Sequence, residues 1–422
     1  MEPVLTQFGV KMSHLSGVRA IMKDIIETLQ AGKGQDFINL SAGNPVILPE
    51  VEQLWRDCTA ELLSSREYGE VVCRYGLSQG YQPLIEAIKD DFNQRYGWEL
   101  GDRNILITPG SQSIYFFAAN VFGGYTPDGT LKEIVLPLSP DYTGYGSISL
   151  TPDVVYAYKP RIEMTSHRFK YRPDFSQLQI TENTGCVIFS RPCNPTGNVL
   201  TDDEVKKIGA IASNVPVFID SAYGPPYPAL NFTGMTPVFG DNIVHCLSLS
   251  KAGLPGERIG VAIGPSKLLR VLESFQTNLC IHSSRYGQAI AALAIKSGKL
   301  GKISDEVIRP FYQKKFEIVE STLDEVMPKE LPWFLHRGEG AIFAWLWLQD
   351  LPMTDWEFYE KLKQVGVIIV PGSPFFPGLR SEWQHKQECM RISLTATNDE
   401  IVMGMYRLAK VVEEVYNNKG LE

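Results

Sequence analysis

Lys251 is set in the segment Ser248-Leu249-Ser250-Lys251-Ala252-Gly253-Leu254-Pro255-Gly256-Glu257-Arg258, with hydroxyls three and one residues before it and a guanidinium seven after. Apolar runs flank the segment, Ile243 to Leu247 before it and Ile259 to Ile263 after it. The lysine is therefore predicted just past a strand end, in a polar turn. An amine there suits an imine with an aldehyde, and Ser248, Ser250 and Arg258 suit a phosphate on the same molecule. The alternative is an exposed lysine in an ordinary loop, and the rest of the chain has to decide between them.

Side chains of matching chemistry recur at the ends of other apolar runs. Asp220 closes Val217-Phe218-Ile219 and precedes Tyr223 by three residues. A carboxylate buried at a strand end is costly unless paired, and a protonated pyridine nitrogen is such a partner. Asn194 lies between Pro192 and Pro195, directly after the run Gly185 to Ser190. Ser111 and Gln112 open a predicted helix, where backbone amides favour an anion or the serine merely caps. Tyr142 follows the run Glu133 to Leu136 and either stacks on a flat heteroaromatic ring or packs within its own loop. Tyr75 stands beside Gly76 in a glycine-flanked turn, where a core tyrosine is the bland alternative. The turn Ser41-Ala42-Gly43-Asn44-Pro45 can bring backbone amides to a ligand. Arg391, between Met390 and Ile392, must find an anion, either a substrate carboxylate or a structural partner. Pyridoxal phosphate unites the aldehyde, the phosphate and the pyridine nitrogen that these groups suit.

The elements that must position them alternate. Strand-like runs at 104–108, 133–136, 154–158, 185–190, 215–220, 243–247 and 259–263 are separated by helical or loop segments. Runs apolar throughout, joined by crossovers, predict a mostly parallel seven-stranded sheet covered on both faces, with ligands beyond the carboxyl ends of its strands. Residues 1–34 read as an arm carrying one helix, Gly17 to Leu29, whose apolar residues Ile21, Met22, Ile25 and Ile26 keep helical spacing. A long helix from Ser304 to Glu325 leads into a C-terminal α/β part. There strands are predicted at 341–348, 367–370 and 389–394, and helices at 355–364 and 399–416.

Composition excludes several classes of function. The chain has 422 residues, 44% hydrophobic and 21% charged, which fits a folded protein of two domains. A net charge of -8 without a basic block argues against nucleic acid or an anionic membrane as partner. The seven cysteines are scattered without metal-ligand or disulfide spacing, so no metal site is expected and the thiols read as reduced. The N-terminus lacks the basic-then-apolar order of a signal peptide, and no apolar run approaches the ~20 residues of a membrane helix. A cytoplasmic location is the expectation.

Taken in order, Tyr75-Gly76, Gly110-Ser111-Gln112, Tyr142, Asn194-Pro195-Thr196-Gly197, Asp220-x-x-Tyr223, Ser248-x-Ser250-Lys251 and Arg391 resemble the aspartate-aminotransferase superfamily, pyridoxal-phosphate fold type I. Within it the wording of 190–198, 220–227, 248–258, 339–352 and 370–379 is most similar to the valine-pyruvate group. The resemblance implies an arm (1–50) joining a small C-terminal α/β domain (301–422), and a large cofactor-binding domain (51–300). It also implies roles for single residues. Lys251 would hold pyridoxal 5′-phosphate and move the substrate's proton. Asp220 would face the ring nitrogen, Asn194 and Tyr223 the phenolic oxygen, and Tyr142 the ring. Ser111, Gln112, Ser248, Ser250 and Arg258 would hold the phosphate, joined by Tyr75 from a neighbouring subunit, so a homodimer with shared sites is implied. Arg391, with Gly43 and Asn194, would bind the substrate carboxylate. The implied reaction moves an amino group between valine or alanine and pyruvate or 3-methyl-2-oxobutanoate by a ping-pong mechanism. The alternatives are glutamate or another donor, the former if Arg285 enters the pocket, and a carbon-sulfur β-lyase. Phe375 and Phe376 would suit an aliphatic substrate side chain.

Overall fold

All seven apolar runs between residues 104 and 264 form strands of one sheet. In the computed structural model, which describes residues 3–13, 17–31 and 37–417, the spatial order begins Ile105–Pro109, Ile259–Ile263, Ile243–Ser248 and Val217–Asp220. It continues through Thr184–Ser190 to Leu131–Leu136, which also pairs Val155–Ala157. An eighth strand, Gly124–Tyr125, pairs antiparallel with the start of Leu131–Leu136. At two residues it is too short to leave any alternation in the sequence, which is why seven strands were expected. Successive residues point to opposite apolar layers: Ile105 and Ile107 belong to one hydrophobic cluster, Leu106 to the other. A sheet covered on both faces needs that double burial.

Direction within the sheet decides what meets at its edge. Ile259–Ile263 runs antiparallel to both neighbours, whereas the pairings among Ile243–Ser248, Val217–Asp220, Thr184–Ser190 and Leu131–Leu136 are parallel. The register pairs Ser190 with Asp220 and Cys246 with Asp220. Their carboxyl ends therefore share one edge. The reversed strand begins at that same edge, so Arg258 enters beside Ser248 and Thr108, whose registers fall on Gly260. Gly260 is needed there, because a Cβ would run into the Gly110 carbonyl carbon and the Ser111 amide nitrogen.

A second sheet of six strands takes the order Val370–Pro371, Cys389–Ser393, Phe343–Leu348, Trp333–His336, Arg168–Arg172, Arg161–Thr165. It draws on residues from both sides of position 300. The hairpin 161–172 is absent from the sequence expectation because its outer strand is nearly all exposed and polar, leaving no apolar run. From the arm, Ile38–Asn39 pairs in parallel with Val367–Ile368. The arm carries two helices where one was expected, Gln7–Ser13 and Gly17–Ala31, and Asp24 of the second accepts a hydrogen bond from Tyr359 Oη (2.8 Å) on the helix Asp355–Gln364. Arm residues 1–2, 14–16 and 32–36 lie outside the described residues. The long helix expected at 304–325 is broken into a π-turn, Ser304–Ile308, and Arg309–Val326. Pro310 opens the second piece, where its missing N–H costs least.

A buried ion pair of the second sheet holds a loop that leaves the first. Lys170 of the hairpin binds Glu339, both largely shielded from solvent, and also donates to the Val199 carbonyl (2.9 Å). Glu339 in turn accepts from the Val199 amide (2.9 Å), so the loop after Thr184–Ser190 is fixed from both sides. Lys170→Met should lower unfolding stability by about 3–5 kcal/mol, because Glu339 is left as a buried uncompensated charge. Urea denaturation followed by tryptophan fluorescence measures this, and a loss below about 1 kcal/mol, the scale of an exposed pair, would contradict it.

Candidate active site

The shared carboxyl edge of the first sheet opens into a cavity of about 460 Å³, walled on the far side by Phe343, Phe375 and Arg391. Lys251 reaches it from a 3-10 turn, Leu249–Ala252. Ser248 Oγ accepts from the Ser250 amide (3.3 Å) at the start of that turn. Gly253 ends it at φ +95°, held by Trp55 Nε1 donating to the Ala252 carbonyl (3.0 Å). The amine donates to the Gly43 carbonyl and lies 5.7 Å from the Tyr223 ring centroid. Burial, then the charges of Arg391 and Arg258, push it down to about 8, against the opposing pull of Asp220. A lysine so placed is neutral and nucleophilic above about pH 8, far below the range of an ordinary lysine.

One end of the cavity is built for an anion. Gly110 (φ +83°) turns the chain into the helix Ser111–Val121, presenting Ser111 and Gln112, and a Cβ on Gly110 would strike the Arg258 guanidinium. Arg258 itself sits at φ 52° and donates to Ser250 Oγ (3.2 Å). Together with Ser248 these groups supply donors and a cation with no carboxylate among them.

At the cavity floor Asp220 is buried, and burial raises its proton affinity. Its Oδ2 accepts from Tyr145 Oη (2.9 Å) and its Oδ1 from the Ala222 amide (3.0 Å). Tyr223 lies alongside, its phenol also pushed up by burial. Tyr142 forms a wall, its amide held by Asp141 Oδ1 (2.7 Å). At the far end Arg391 donates to Asn194 Oδ1 and to the Ser41 carbonyl, both at 3.1 Å. Its guanidinium carbon lies 4.1 Å from the Phe343 ring centroid and 4.9 Å from that of Phe375. Burial pushes this arginine down to about 10, and its Nε is buried without a partner. Two aromatic faces compensate in part for the lost water.

Some expected residues stand elsewhere. Tyr75 is 83% exposed and packs edge-on to His282, away from the cavity of its own chain. Arg285 opens the helix Arg285–Lys296 and donates to the carbonyls of Glu70 (2.8 Å) and Arg74 (3.3 Å), so it does not enter this cavity. Phe376 packs on Trp345 and Trp383, and of the two phenylalanines only Phe375 lines the site. Tyr145 and Asp141 flank Tyr142 in the chain, and no local pattern singles either of them out. Ile21, Met22, Ile25 and Ile26, an apolar helix stripe in the sequence, all line the cavity. The exposure of Met22 (56%) and Ile26 (49%) marks that stripe as incompletely covered.

A cluster of donors around Arg258, the Tyr142 ring, a buried acid, an amine of lowered basicity and a distal arginine thus line one cavity. The family described as aminotransferase class I and II matches residues 35–407. The chain belongs to it. As an aminotransferase it is 36% identical over 412 residues to the valine-pyruvate aminotransferase of Escherichia coli (strain K12), covering 97% of this chain and 98% of that one. The solved valine-pyruvate aminotransferase of Salmonella typhimurium LT2 superposes with a TM-score of 0.85 at 35% identity, over 94% of this chain and 99% of that one. A Psychrobacter arcticum 273-4 protein superposes with a TM-score of 0.93 at 33% identity, over 99% of this chain and all of that one. Aminotransferases of this class depend on pyridoxal 5′-phosphate, and the donor set fits it: cations and hydroxyls for the phosphate, and an acid for the ring nitrogen.

For the cofactor-free aminotransferase, the rate of pyridoxal phosphate capture should rise with pH and level near pH 8, about two units below an ordinary lysine. Below that pH the amine is protonated and cannot attack. Arg391→Leu removes a charge that lowers the lysine, so the plateau should move upward. Stopped-flow absorbance measures both, and a native plateau near pH 10 would contradict the geometry.

Proposed function

We propose that this aminotransferase exchanges the amino group between valine or alanine and pyruvate or 3-methyl-2-oxobutanoate, both half-reactions using one site. The observation that carries the substrate class is the cavity wall. Ile21, Met22, Ile25 and Ile26 present an aliphatic surface. Lys251, Arg258 and Arg391 are the only cations among the described lining residues. With those three engaged by cofactor and α-carboxylate, a second carboxylate finds no partner from its own chain, where Arg285 is held at the carbonyls of Glu70 and Arg74. The similarity to valine-pyruvate aminotransferases supports the same choice.

When bound, pyridoxal phosphate supplies an aldehyde that accepts the amino group and a ring that takes up the electron pair left at the α-carbon. Lys251, of lowered basicity, is the base that carries the proton from Cα. Asp220 keeps the ring nitrogen protonated, Asn194 and Tyr223 donate to the phenolic oxygen, and Tyr142 stacks. Ser111, Gln112, Ser248, Ser250 and Arg258 hold the phosphate. Arg391 binds the α-carboxylate of donor and acceptor alike, beside Gly43, and its Asn194 contact fixes the fork for bidentate pairing. Tyr75 and Leu77, both strongly exposed, support a homodimer in which Tyr75 of a second copy completes the phosphate site.

Single-turnover mixing of holoenzyme with one amino acid and no oxo acid tests the assignment by the cofactor absorbance. Valine and alanine should convert the cofactor to its amino form at least about 10²-fold faster than glutamate, since an unpaired buried carboxylate is costly. Glutamate reacting fastest would overturn the aliphatic reading. Ammonia release without conversion of the cofactor would make the chain a lyase.

A further inference from the structure

Tyr145 is completely buried and does not touch the cavity, yet its hydroxyl is spent on Asp220 Oδ2 at 2.9 Å. Its ring is wedged edge-on against Tyr142 (5.4 Å between centroids) and Tyr115 (5.5 Å). Its backbone is fixed as well, its amide donating to the Tyr142 carbonyl (3.0 Å) in the 3-10 turn Thr143–Ser147. A phenylalanine would fill the same space. A phenol carried into a dry interior is costly without a partner, and here the partner is the acid at the cavity floor. Also facing Asp220 are the Tyr115 hydroxyl, the Cys246 thiol, the Asp141 carboxyl, the phenols of Tyr142 and Tyr223 and, across the cavity, Lys251.

We propose that Tyr145 is a positioning residue that sets how firmly the cofactor's ring nitrogen keeps its proton, by donating to Asp220 and steadying the stacking ring of Tyr142. The inference rests on Asp220 facing that nitrogen. A carboxylate that already accepts from a phenol and from the Ala222 amide has less affinity for a further proton. The proton between carboxylate and ring therefore stays on the nitrogen, where it makes the ring an electron acceptor. The same hydrogen bond holds the carboxylate in one rotamer.

The test uses holoenzyme loaded with pyridoxal phosphate labelled with ¹⁵N in the ring. In Tyr145→Phe the ring-nitrogen resonance should move toward that of unprotonated pyridine. The valine half-reaction should slow about 10- to 100-fold, the range of a hydrogen bond to a charged group, while half-saturation by valine stays within about twofold. If Tyr145→Phe does not fold, 3-fluorotyrosine at position 145 keeps the shape, strengthens the donor and should displace the N–H proton resonance in the opposite direction. Unchanged resonances with an unchanged rate would overturn the role of Tyr145. Asp220→Asn separates the two levels. If it shifts the nitrogen resonance while the position 145 variants do not, only Tyr145 is misassigned. If it shifts nothing, the placement of Asp220 fails and Tyr145 with it.

Discussion

Three cations and one carboxylate share a single cavity, and that imbalance is the constraint on which the rest of the structure turns. The charges of Arg391 and Arg258 both disfavour a protonated Lys251, and Asp220 opposes them as the one carboxylate among the described lining residues. The arrangement is stable when the site takes in anions, one at the Arg258 end and one at the Arg391 end. A phosphorylated cofactor and an α-carboxylate are such a pair. Burial first, and then the charges of Arg391 and Arg258, lower the proton affinity of the Lys251 amine, so the two cations that await anions also favour the reactive form of the lysine.

Holding that unfavourable set requires rigid backing. Strand ends in parallel register deliver Ser190, Asp220 and Ser248 to one edge, and the reversed strand adds Arg258 without any connecting loop crossing the site. Glycines at 110 and 260 let the backbone close to distances that any side chain would forbid. Asp141 does similar work with hydrogen bonds, accepting from the amides of Tyr142 (2.7 Å) and Ser190 (3.0 Å) and from the Ser190 hydroxyl. It thereby locks the Tyr142 loop to the neighbouring strand. Across the cavity, Arg391 is steadied by two phenylalanine faces, which hold a cation without neutralising it.

The strands around the site were legible because each is apolar from end to end, and Asp220, Asn194 and Lys251 stood out as polar residues where such runs stop. Other features depend on tertiary placement, which no local pattern encodes. The hairpin 161–172 carries Arg161, Glu163, Arg168 and Lys170, so its strands look like loop until the second sheet is seen. The stripe Ile21, Met22, Ile25, Ile26 was readable as a helix face, but not what it faces. Arg285 could be located in sequence, yet its direction follows from the carbonyls of Glu70 and Arg74, some two hundred residues away. Tyr145 lies three residues after Tyr142, and only the 3-10 turn between them aims its hydroxyl at Asp220.

The most direct measurement reduces the holoenzyme with borohydride, which makes the lysine-cofactor bond permanent, and then maps the modified peptide by mass spectrometry. The expected result is a single pyridoxyl group on Lys251. A label on any other lysine would contradict the electrostatic account of the site, because no other amine in the described structure lies between Arg258, Arg391 and Asp220.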